Sequence, residues 1–243
     1  MIDLHCHILP GVDDGARDLD DAAAMARIGA EDGVEVVCAT PHIRHDHDVR
    51  IHEVAGRVAA LNARLREDGT PLVVLQGGEV AETAVEDLSE EELSRVALGG
   101  GRWILLEPAP GPLSDNLRWA VEHLAGRGHR ALIAHPERHL CADMFERLGE
   151  LIGDGALVQA TADFFLREEM SAGMLALAEA GFVHVLSSDS HTSLGGRQLR
   201  LAAAFERLGE VERLAPHLEW IAETAPRAIV EGEALTVPFE VSV

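Results

Sequence analysis

Histidines and acids recur along this chain at the ends of short apolar stretches. His5 and His7 flank Cys6 in the first stretch, and the alternation of a β-strand would place both imidazoles on one face with Cys6 on the other. The same side-chain types follow most of the later stretches. The residues that we predict to bind metal are His5, His7, Asp14, His42, Glu79, Glu107, His135, Asp189 and His191.

Nitrogen and oxygen donors without a cysteine suit borderline-hard divalent ions such as Mn²⁺, Zn²⁺ or Fe²⁺. If one carboxylate bridges two ions, this set is large enough for three of them. Three divalent ions would bring a charge of about +6 against the four carboxylates of the set, which leaves the loaded site at about +2. The pattern therefore predicts a cationic pocket that attracts a phosphate ester, although the whole chain has a formal net charge of −22.

The apolar stretches alternate with stretches of helical periodicity, as in α/β proteins with a parallel sheet, either closed as a barrel or open and doubly wound. Strands are predicted at Ile2–His7, Val34–Thr40, Leu72–Gln76, Trp103–Glu107, Ala131–Ala134, Ala156–Gln159 and Val183–Leu186. Helices are predicted at Asp18–Asp32, Val49–Glu67, Ser114–Gly126, Glu168–Ala180, Gly196–Leu208 and Glu210–Glu223. No GxGxxG motif follows the first strand, so a dinucleotide-binding fold has no support. Because barrels place their active sites at the carboxyl ends of the strands, we predict an α/β barrel that forms one domain over residues 1–243.

The composition limits the classes of partner and location. A hydrophobic share of 47% is ordinary for a globular core. No secretory signal follows Met1 and no apolar run approaches the roughly 18 residues of a membrane span, so we expect a cytoplasmic protein without membrane insertion. The acidic balance argues against a nucleic-acid partner, because a phosphate backbone needs a basic face. Three scattered cysteines (Cys6, Cys38 and Cys141) do not form a disulfide framework.

Two segments match the C-x₅-R pattern of cysteine-dependent tyrosine phosphatases: Cys38 with Arg44, and Cys141 with Arg147. That mechanism needs a glycine-rich loop whose amides bind phosphate at a helix N-terminus. The residues after Cys38 include no glycine, and those after Cys141 include two acids. We therefore predict metal chemistry and not thiolate chemistry.

Other histidines have simpler interpretations. His45, His47 and His52 crowd one segment with Asp46 and Asp48, which is typical of a solvated loop and helix start, with a role at the rim of the site as the alternative. Structural roles are expected for His123, His129, His139, His184 and His217.

The opening segment MIDLHCHILPGVDDG (residues 1–15) resembles the opening of the capsule-type (CpsB/CapC) bacterial protein-tyrosine phosphatases, which belong to the polymerase and histidinol phosphatase (PHP) superfamily. Later segments resemble that family's motifs in the same order: ATPH (39–42), GGE (77–79), IAHPER (133–138) and SSDSH (187–191). The resemblance covers roughly residues 1–230. Cys6 stands where the family usually has serine, and the segments 43–52 and 108–115 resemble none of its motifs.

The resemblance implies a distorted seven-stranded (β/α)7 barrel of the PHP type with three metal ions, usually manganese. By motif, one ion would be bound by His5, His7, Glu79 and Asp189, the second by Glu79, Glu107 and His135, and the third by Asp14, His42 and His191. Arg138 and Arg197 would bind the phosphoryl oxygens. The implied substrate is a phosphotyrosine protein, typically a bacterial tyrosine autokinase that controls capsule or exopolysaccharide synthesis.

Two further functions stay open. A small-molecule phosphomonoesterase such as histidinol phosphatase would use the same site, and the shape of the pocket would decide between it and a protein-tyrosine phosphatase. The third hypothesis is a non-catalytic binding or regulatory domain, which the presence of every expected ligand argues against.

Overall fold

The structure, a computed structural model, describes residues 1–139 and 142–242. Its strands are β1 (Ile2–Cys6), β2 (Val36–Ala39), β3 (His42–Ile43), β4 (Val73–Gln76), β5 (Glu79–Ala81), β6 (Trp103–Glu107), β7 (Arg130–Ala134), β8 (Leu157–Thr161) and β9 (Val185–Ser187). One sheet has the order β1-β2-β4 and the other the order β3-β5-β6-β7-β8-β9. Every pairing within these sheets is parallel. The predicted α/β class with parallel strands is confirmed.

All seven predicted strands are present, and two of them are followed, after a break of two residues, by a further short strand that was not predicted. The chain passes from β2 to β3 through Thr40 and Pro41, and from β4 to β5 through Gly77 and Gly78. Pro41 has no amide to donate to a ladder, so the pairing of β2 with β4 stops there and resumes as the pairing of β3 with β5. The described residues therefore form nine strands in two sheets, and the predicted count of seven strands and a closed barrel are not confirmed.

The first strand and the segment after the last one meet at the remaining edge. An isolated parallel bridge joins Cys6 and Ser190. The amide of His7 donates to the carbonyl of Ser190 at 2.9 Å, and the amide of Asp189 donates to the carbonyl of His5 at 2.9 Å. These bonds bring the first and last predicted ligands of the chain side by side.

The helices are α1 (Leu19–Glu31), α2 (Ile51–Glu67), α3 (Glu90–Val96), α4 (Asp115–Gly126), α5 (Met144–Gly153), α6 (Glu168–Glu179), α7 (Ala202–Leu208) and α8 (Ala225–Glu231). Four predicted helices, now α1, α2, α4 and α6, are confirmed with ends within two residues. No helix bounds were predicted for α3, α5 or α8, although the acids after Cys141 indicated a helix near the start of α5. Across the described ranges, no helix is both long and apolar enough to cross a bilayer.

Two helix predictions near the C-terminus are wrong in their bounds. The helix predicted from Gly196 begins only at Ala202, because Gly195 and Gly196 adopt positive φ angles of 125° and 67°, which a right-handed helix does not contain. The helix predicted over 210–223 is replaced by a 3₁₀ turn at Ala215–His217 and a π-helical turn at Trp220–Thr224 that leads into α8. Pro216 removes one amide from that segment, which limits a continuous α-helix there.

Apolar side chains form two clusters on opposite sides of the strands. The inner cluster consists of Ile2, Leu4, Cys38, Leu98, Trp103, Leu105, Leu132, Ala134, Leu157, Val185 and Ile229. The outer cluster packs alternate strand residues, such as Ile104 and Leu106, against the helices. In β1 the register shifts between Asp3 and Cys6, so that Cys6 joins the outer cluster. The inner cluster thus supports the strands from within and stops where their polar carboxyl ends begin.

Candidate metal centre

The carboxyl ends of the strands deliver the predicted ligands to one place. Glu107 is the last residue of β6, His135 directly follows β7, and Asp189 lies two residues beyond β9. His42 and Glu79 are the first residues of β3 and β5, immediately after the two interruptions, and they face each other in the ladder. The two-residue breaks before β3 and β5 therefore bring His42 and Glu79 into the centre.

Backbone strain is concentrated at the same site. Among residues 1–139 and 142–242, the only non-glycine residues with positive φ are His135 (33°) and Asp189 (50°). Left-handed backbone costs a non-glycine residue about 1–3 kcal/mol and persists where the surroundings enforce it, often at functional sites. Both residues are buried, so the fold holds these two side chains against a local conformational preference.

All nine predicted ligands fall into groups whose donor atoms lie within 4.8 Å of one another. The four groups are His7/Asp14/His42/His191, His5/His135/Asp189, His5/His7/Glu79 and His42/Glu79/Glu107. Glu79, His5, His7 and His42 each belong to two of these groups, so the groups form one continuous centre. Asp14 is its most exposed member, with 59% of the side chain accessible, and its Oδ1 lies 3.5 Å from Nε2 of both His42 and His191.

The grouping differs in detail from the partition that the family resemblance implies. The set Asp14, His42 and His191 stays together and gains His7, and His5, His7 and Glu79 also stay together. However, His135 groups with His5 and Asp189, whereas Glu107 groups with His42 and Glu79. Glu79 still links the group of His135 to the group of Glu107, because its Oε1 lies 2.8 Å from His135 Nε2.

Two residues that sequence reasoning missed orient the imidazoles. Nδ1 of His5 lies 2.9 Å from Oε1 of Gln159, and Nδ1 of His7 lies 2.8 Å from Oδ2 of Asp13. If each Nδ1 carries the proton and donates it, the Nε2 lone pair of both rings points into the centre, which is the usual arrangement for histidine ligands. Asp13 could have been suspected from its place beside Asp14, but Gln159 in β8 carries no comparable signal.

The loop that holds Asp13 and Asp14 needs a glycine. A Cβ atom at Gly15 would lie 2.0 Å from the carbonyl oxygen of His7, so this position excludes every other residue type. Asp13 fixes the loop by accepting hydrogen bonds from the amides of Gly15 and His42, both at 3.1 Å. The GVDDG segment is thereby tied to β3 through the amide of His42.

Several polar atoms of the centre face each other without making a satisfactory hydrogen bond. Nε2 of His5 and Nε2 of His7 lie 3.2 Å apart. Nδ1 of His42 and Oε2 of Glu79 lie 3.0 Å apart, yet both are buried without a hydrogen-bond partner among the described residues. Converging lone pairs of this kind are satisfied by a cation. The donor set and its geometry therefore fit divalent metal ions.

The carboxylates and imidazoles change each other's proton affinity. Burial lowers the pKa of His5, but Glu79 and Asp189 outweigh it and the pKa is raised overall. Burial likewise opposes the charged form of His7, yet its hydrogen bonds with Asp13 and Glu79 raise its pKa to about 10. Protons and divalent ions therefore compete for the same nitrogen atoms.

Arg138 and Arg197, predicted to bind phosphoryl oxygens, both contact Asp189. Nη2 of Arg138 donates to Oδ2 of Asp189, and Nε of Arg197 lies 3.3 Å from the same oxygen. Arg197 also donates to the carbonyl of Asp189 at 2.9 Å. The guanidinium carbon of Arg138 lies 5.7 Å from the centroid of the Phe164 ring. Both cations thus stand at one side of the centre, each partly exposed.

Thiolate chemistry finds no support at Cys38. The side chain is fully buried in the inner cluster, and burial together with the charge of Asp3 raises the pKa of its thiol. A neutral buried thiol is a poor nucleophile. The second match to the cysteine pattern depends on Cys141, which lies outside the described residues.

The histidines given other interpretations lie outside the ligand groups of the described chain. His45 and His52 are exposed, and His45 pairs loosely with Asp87 at 3.6 Å. His47 is different, because its ring centroid lies 4.9 Å from that of His42. The structure thus places His47 at the rim of the centre, as the alternative interpretation allowed.

Comparison with known proteins agrees with the geometry of the centre. The family model described as "Capsular polysaccharide synthesis, CpsB/CapC" matches residues 1–212. The chain belongs to this family. The tyrosine-protein phosphatase YwqE of Bacillus subtilis (strain 168) is 36% identical over 203 residues, covering 79% of this chain and 77% of the relative. The putative tyrosine-protein phosphatase CapC of Staphylococcus aureus is 26% identical over 212 residues, covering 84% and 82%.

The fold of the chain also agrees with the CpsB/CapC assignment. A solved structure from work on YwqE from Bacillus subtilis and CpsB from Streptococcus pneumoniae, described as "unique metal-dependent tyrosine phosphatases", superposes with a TM-score of 0.85 at 27% identity. The match covers all of both chains. The expected family is therefore confirmed by sequence and by fold.

Proposed function

We propose that this chain is a metal-dependent protein-tyrosine phosphatase that hydrolyses phosphotyrosine. The observation that carries the proposal is the convergence of nine imidazoles and carboxylates, from position 5 to position 191, within a single and largely buried centre. Relatives named as tyrosine-protein phosphatases support the substrate class. The two arginines beside Asp189 support a phosphoryl group as the part of the substrate that is bound.

The chemistry can be divided between bound ions and the residues of the chain. Divalent ions, when bound, would act as Lewis acids on the phosphoryl group and make water a stronger nucleophile near neutral pH. Arg138 and Arg197 would neutralise charge that develops on the phosphoryl oxygens in the transition state. Gln159 and Asp13 would hold the imidazoles of His5 and His7 in the tautomer that presents Nε2.

The finer features of this proposal follow the family. We propose three ions, with Mn²⁺ as the expected metal and Zn²⁺ or Fe²⁺ as alternatives. The two sheets would represent one distorted seven-stranded barrel, interrupted at residues 40–41 and 77–78, and residues 1–243 would form a single domain. The protein would act in the cytoplasm, and by analogy with the family its physiological substrate would be a bacterial tyrosine autokinase that controls capsule or exopolysaccharide synthesis.

Metal analysis combined with a phosphatase assay tests the proposal. Chelation should abolish hydrolysis of a phosphotyrosyl peptide, and added Mn²⁺ should restore it, while the Cys38→Ser variant should keep the wild-type rate. Loss of activity in Cys38→Ser, together with full activity of the wild-type protein in the presence of chelator, would contradict the metal mechanism. Comparison of turnover with histidinol phosphate separates a protein-tyrosine phosphatase from the small-molecule alternative, since the preferred substrate should show the higher kcat/KM.

A further inference from the structure

A cavity of about 230 Å³ opens beside Glu107, at the carboxyl ends of three neighbouring strands, β3, β5 and β6. The residues of its wall that matter here are Arg44, Ala81, Thr83, Glu107, Pro108 and Pro110. The three strands are held in register at this end, because His42 pairs with Glu79 and Ala81 pairs with Glu107. The strands β3, β5 and β6 therefore carry residues of both the cavity and the metal centre.

Glu107 is shared between the cavity and the centre. One of its oxygens lies 3.8 Å from Nδ1 of His42, and it belongs to the ligand group with His42 and Glu79. Only 14% of its side chain is exposed. Only the side chain of Glu107 thus separates the cavity from the position where a phosphoryl group would be bound.

Arg44 closes one side of the cavity. Its Nη1 donates to both carboxylate oxygens of Glu107, at 3.3 and 3.4 Å, and its Nε contacts Oδ1 of Asp46 at 2.7 Å. These two contacts hold the plane of the guanidinium at the mouth. A guanidinium fixed in this way can stack on the face of an aromatic ring.

The rest of the wall is mainly apolar. Ala81 and Pro108 are buried, and Ala109 and Pro110 extend the surface towards solvent. A cavity of roughly 150 Å³ is enough to bind benzene, whereas drug-sized ligands occupy roughly 300 Å³ or more. The volume of about 230 Å³ therefore suits one six-membered ring.

Most of the cavity wall comes from the two parts of the sequence that resemble no family motif. Arg44, His45 and Asp46 belong to the segment 43–52, and Pro108, Ala109 and Pro110 belong to the segment 108–115. Eight of the nine members of the centre come from the segments that do resemble family motifs, and the ninth is Glu107. Residues that differ from a family's motifs while adjoining its reaction centre are placed to set which substrate is accepted.

We propose that this cavity is the subsite for the phenol ring of phosphotyrosine, with Arg44 and Pro108 on either side of the ring. The inference rests on the proposed function and adds the residues that select an aryl over an alkyl phosphate. Binding of the ring here would leave the phosphoryl group at the centre and direct the peptide outward past Thr83 and Pro110.

Filling the cavity tests the proposal. Ala109 is only partly buried and Thr83 is exposed, so Ala109→Phe and Thr83→Phe can each occupy the space without disturbing the core. Ala125→Phe, on the exposed face of α4, is the matched control. KM for a phosphotyrosyl peptide should rise about tenfold or more in each filling variant, because the ring loses its apolar contacts. The inhibition constant of inorganic phosphate, which has no ring, should stay within about twofold of the wild-type value.

The outcomes separate this inference from the function on which it rests. An unchanged KM in both filling variants, at wild-type metal content, would overturn the ring subsite and leave the phosphatase proposal intact. A parallel rise in KM and in the inhibition constant of phosphate would also overturn it, since the phosphoryl position would then be affected. Failure of the metal-loaded wild-type protein to hydrolyse any aryl phosphate would overturn both proposals.

Discussion

Two buried histidines, His7 in the metal centre and His184 immediately before β9, show what burial does alone and what it does among carboxylates. His184 is fully buried, its Nδ1 accepts from the amide of Val158 at 3.3 Å, and its ring lies 5.6 Å from that of Phe239. Burial lowers its pKa to about 4. His7 is buried to the same degree, but Asp13, Glu79 and Asp189 lie within 3.6 Å of its ring nitrogens.

The difference separates a structural histidine from a ligand. Low polarity removes charge from an imidazole, so His184 stays neutral and serves the packing of the core. Carboxylates reverse that effect at His7, whose pKa rises to about 10. A site that gathers so much negative charge in the interior is costly unless cations bind there. The following tests run from the largest expected effect on activity to the smallest.

Removal of a central ligand should have the largest effect. His135→Asn and Asp189→Asn are the sharpest variants, because asparagine tolerates the left-handed backbone found at both positions. Activity on a phosphotyrosyl peptide should fall at least about hundredfold, and the metal content per chain should drop. His184→Gln is the control and should keep both values. A wild-type rate and metal content in either ligand variant would show that the substituted residue does not bind metal.

Loss of an orienting carboxylate should have a smaller effect. Asp13→Asn keeps the shape of the side chain but weakens its hold on Nδ1 of His7. Affinity for Mn²⁺, measured by competition with a coloured chelator, should fall about 10- to 100-fold. The matched control is Asp18→Asn at the N-cap of α1, which should leave the affinity unchanged. Equal affinities in the two variants would show that Asp13 does not orient a ligand.

Metal affinity should depend on pH in one direction. Because a pKa of about 10 keeps the His7 imidazole protonated near neutrality, and the pKa of His5 is raised in the same direction, an ion must displace protons to bind. Affinity for Mn²⁺ should therefore increase with pH, by about tenfold per pH unit for each proton released. Calorimetry in two buffers of different ionisation enthalpy measures the number of protons. A flat profile between pH 6 and 8 would contradict the protonated state of the centre.

The smallest effect on activity is expected at His184, where the change should appear in stability. Its folded pKa of about 4 lies below the ordinary value of 6.5, so the unfolded chain binds the extra proton first. Stability should be lost as pH falls from about 6.5 to about 4, by up to about 3 kcal/mol. Denaturant unfolding of wild-type protein and His184→Gln at each pH isolates this contribution as a difference. Parallel pH profiles for the two proteins would mean that His184 does not supply it.

Much of the fold could be predicted because local patterns carry it. The seven apolar stretches became strands, and α1, α2, α4 and α6 lie where helical periodicity placed them. The misplaced helices lie where local signals conflict, as at Gly195 and Gly196, whose positive φ delays α7. The splitting of two strands depended on Pro41 and on Gly77 and Gly78, which the same patterns treated as strand ends.

The sequence by itself predicted the side chains that we propose as metal ligands, because residue type and position at strand ends follow from composition and period. It also determined that the charge of an acidic chain must be offset locally. Only the tertiary structure decided how the ligands are grouped, that Asp13 and Gln159 orient two of them, and that segments 43–52 and 108–115 share a cavity. The physical reason is that contacts between residues more than a hundred positions apart, such as His5 with Gln159, depend on the packing of the whole sheet and leave no local trace in the chain.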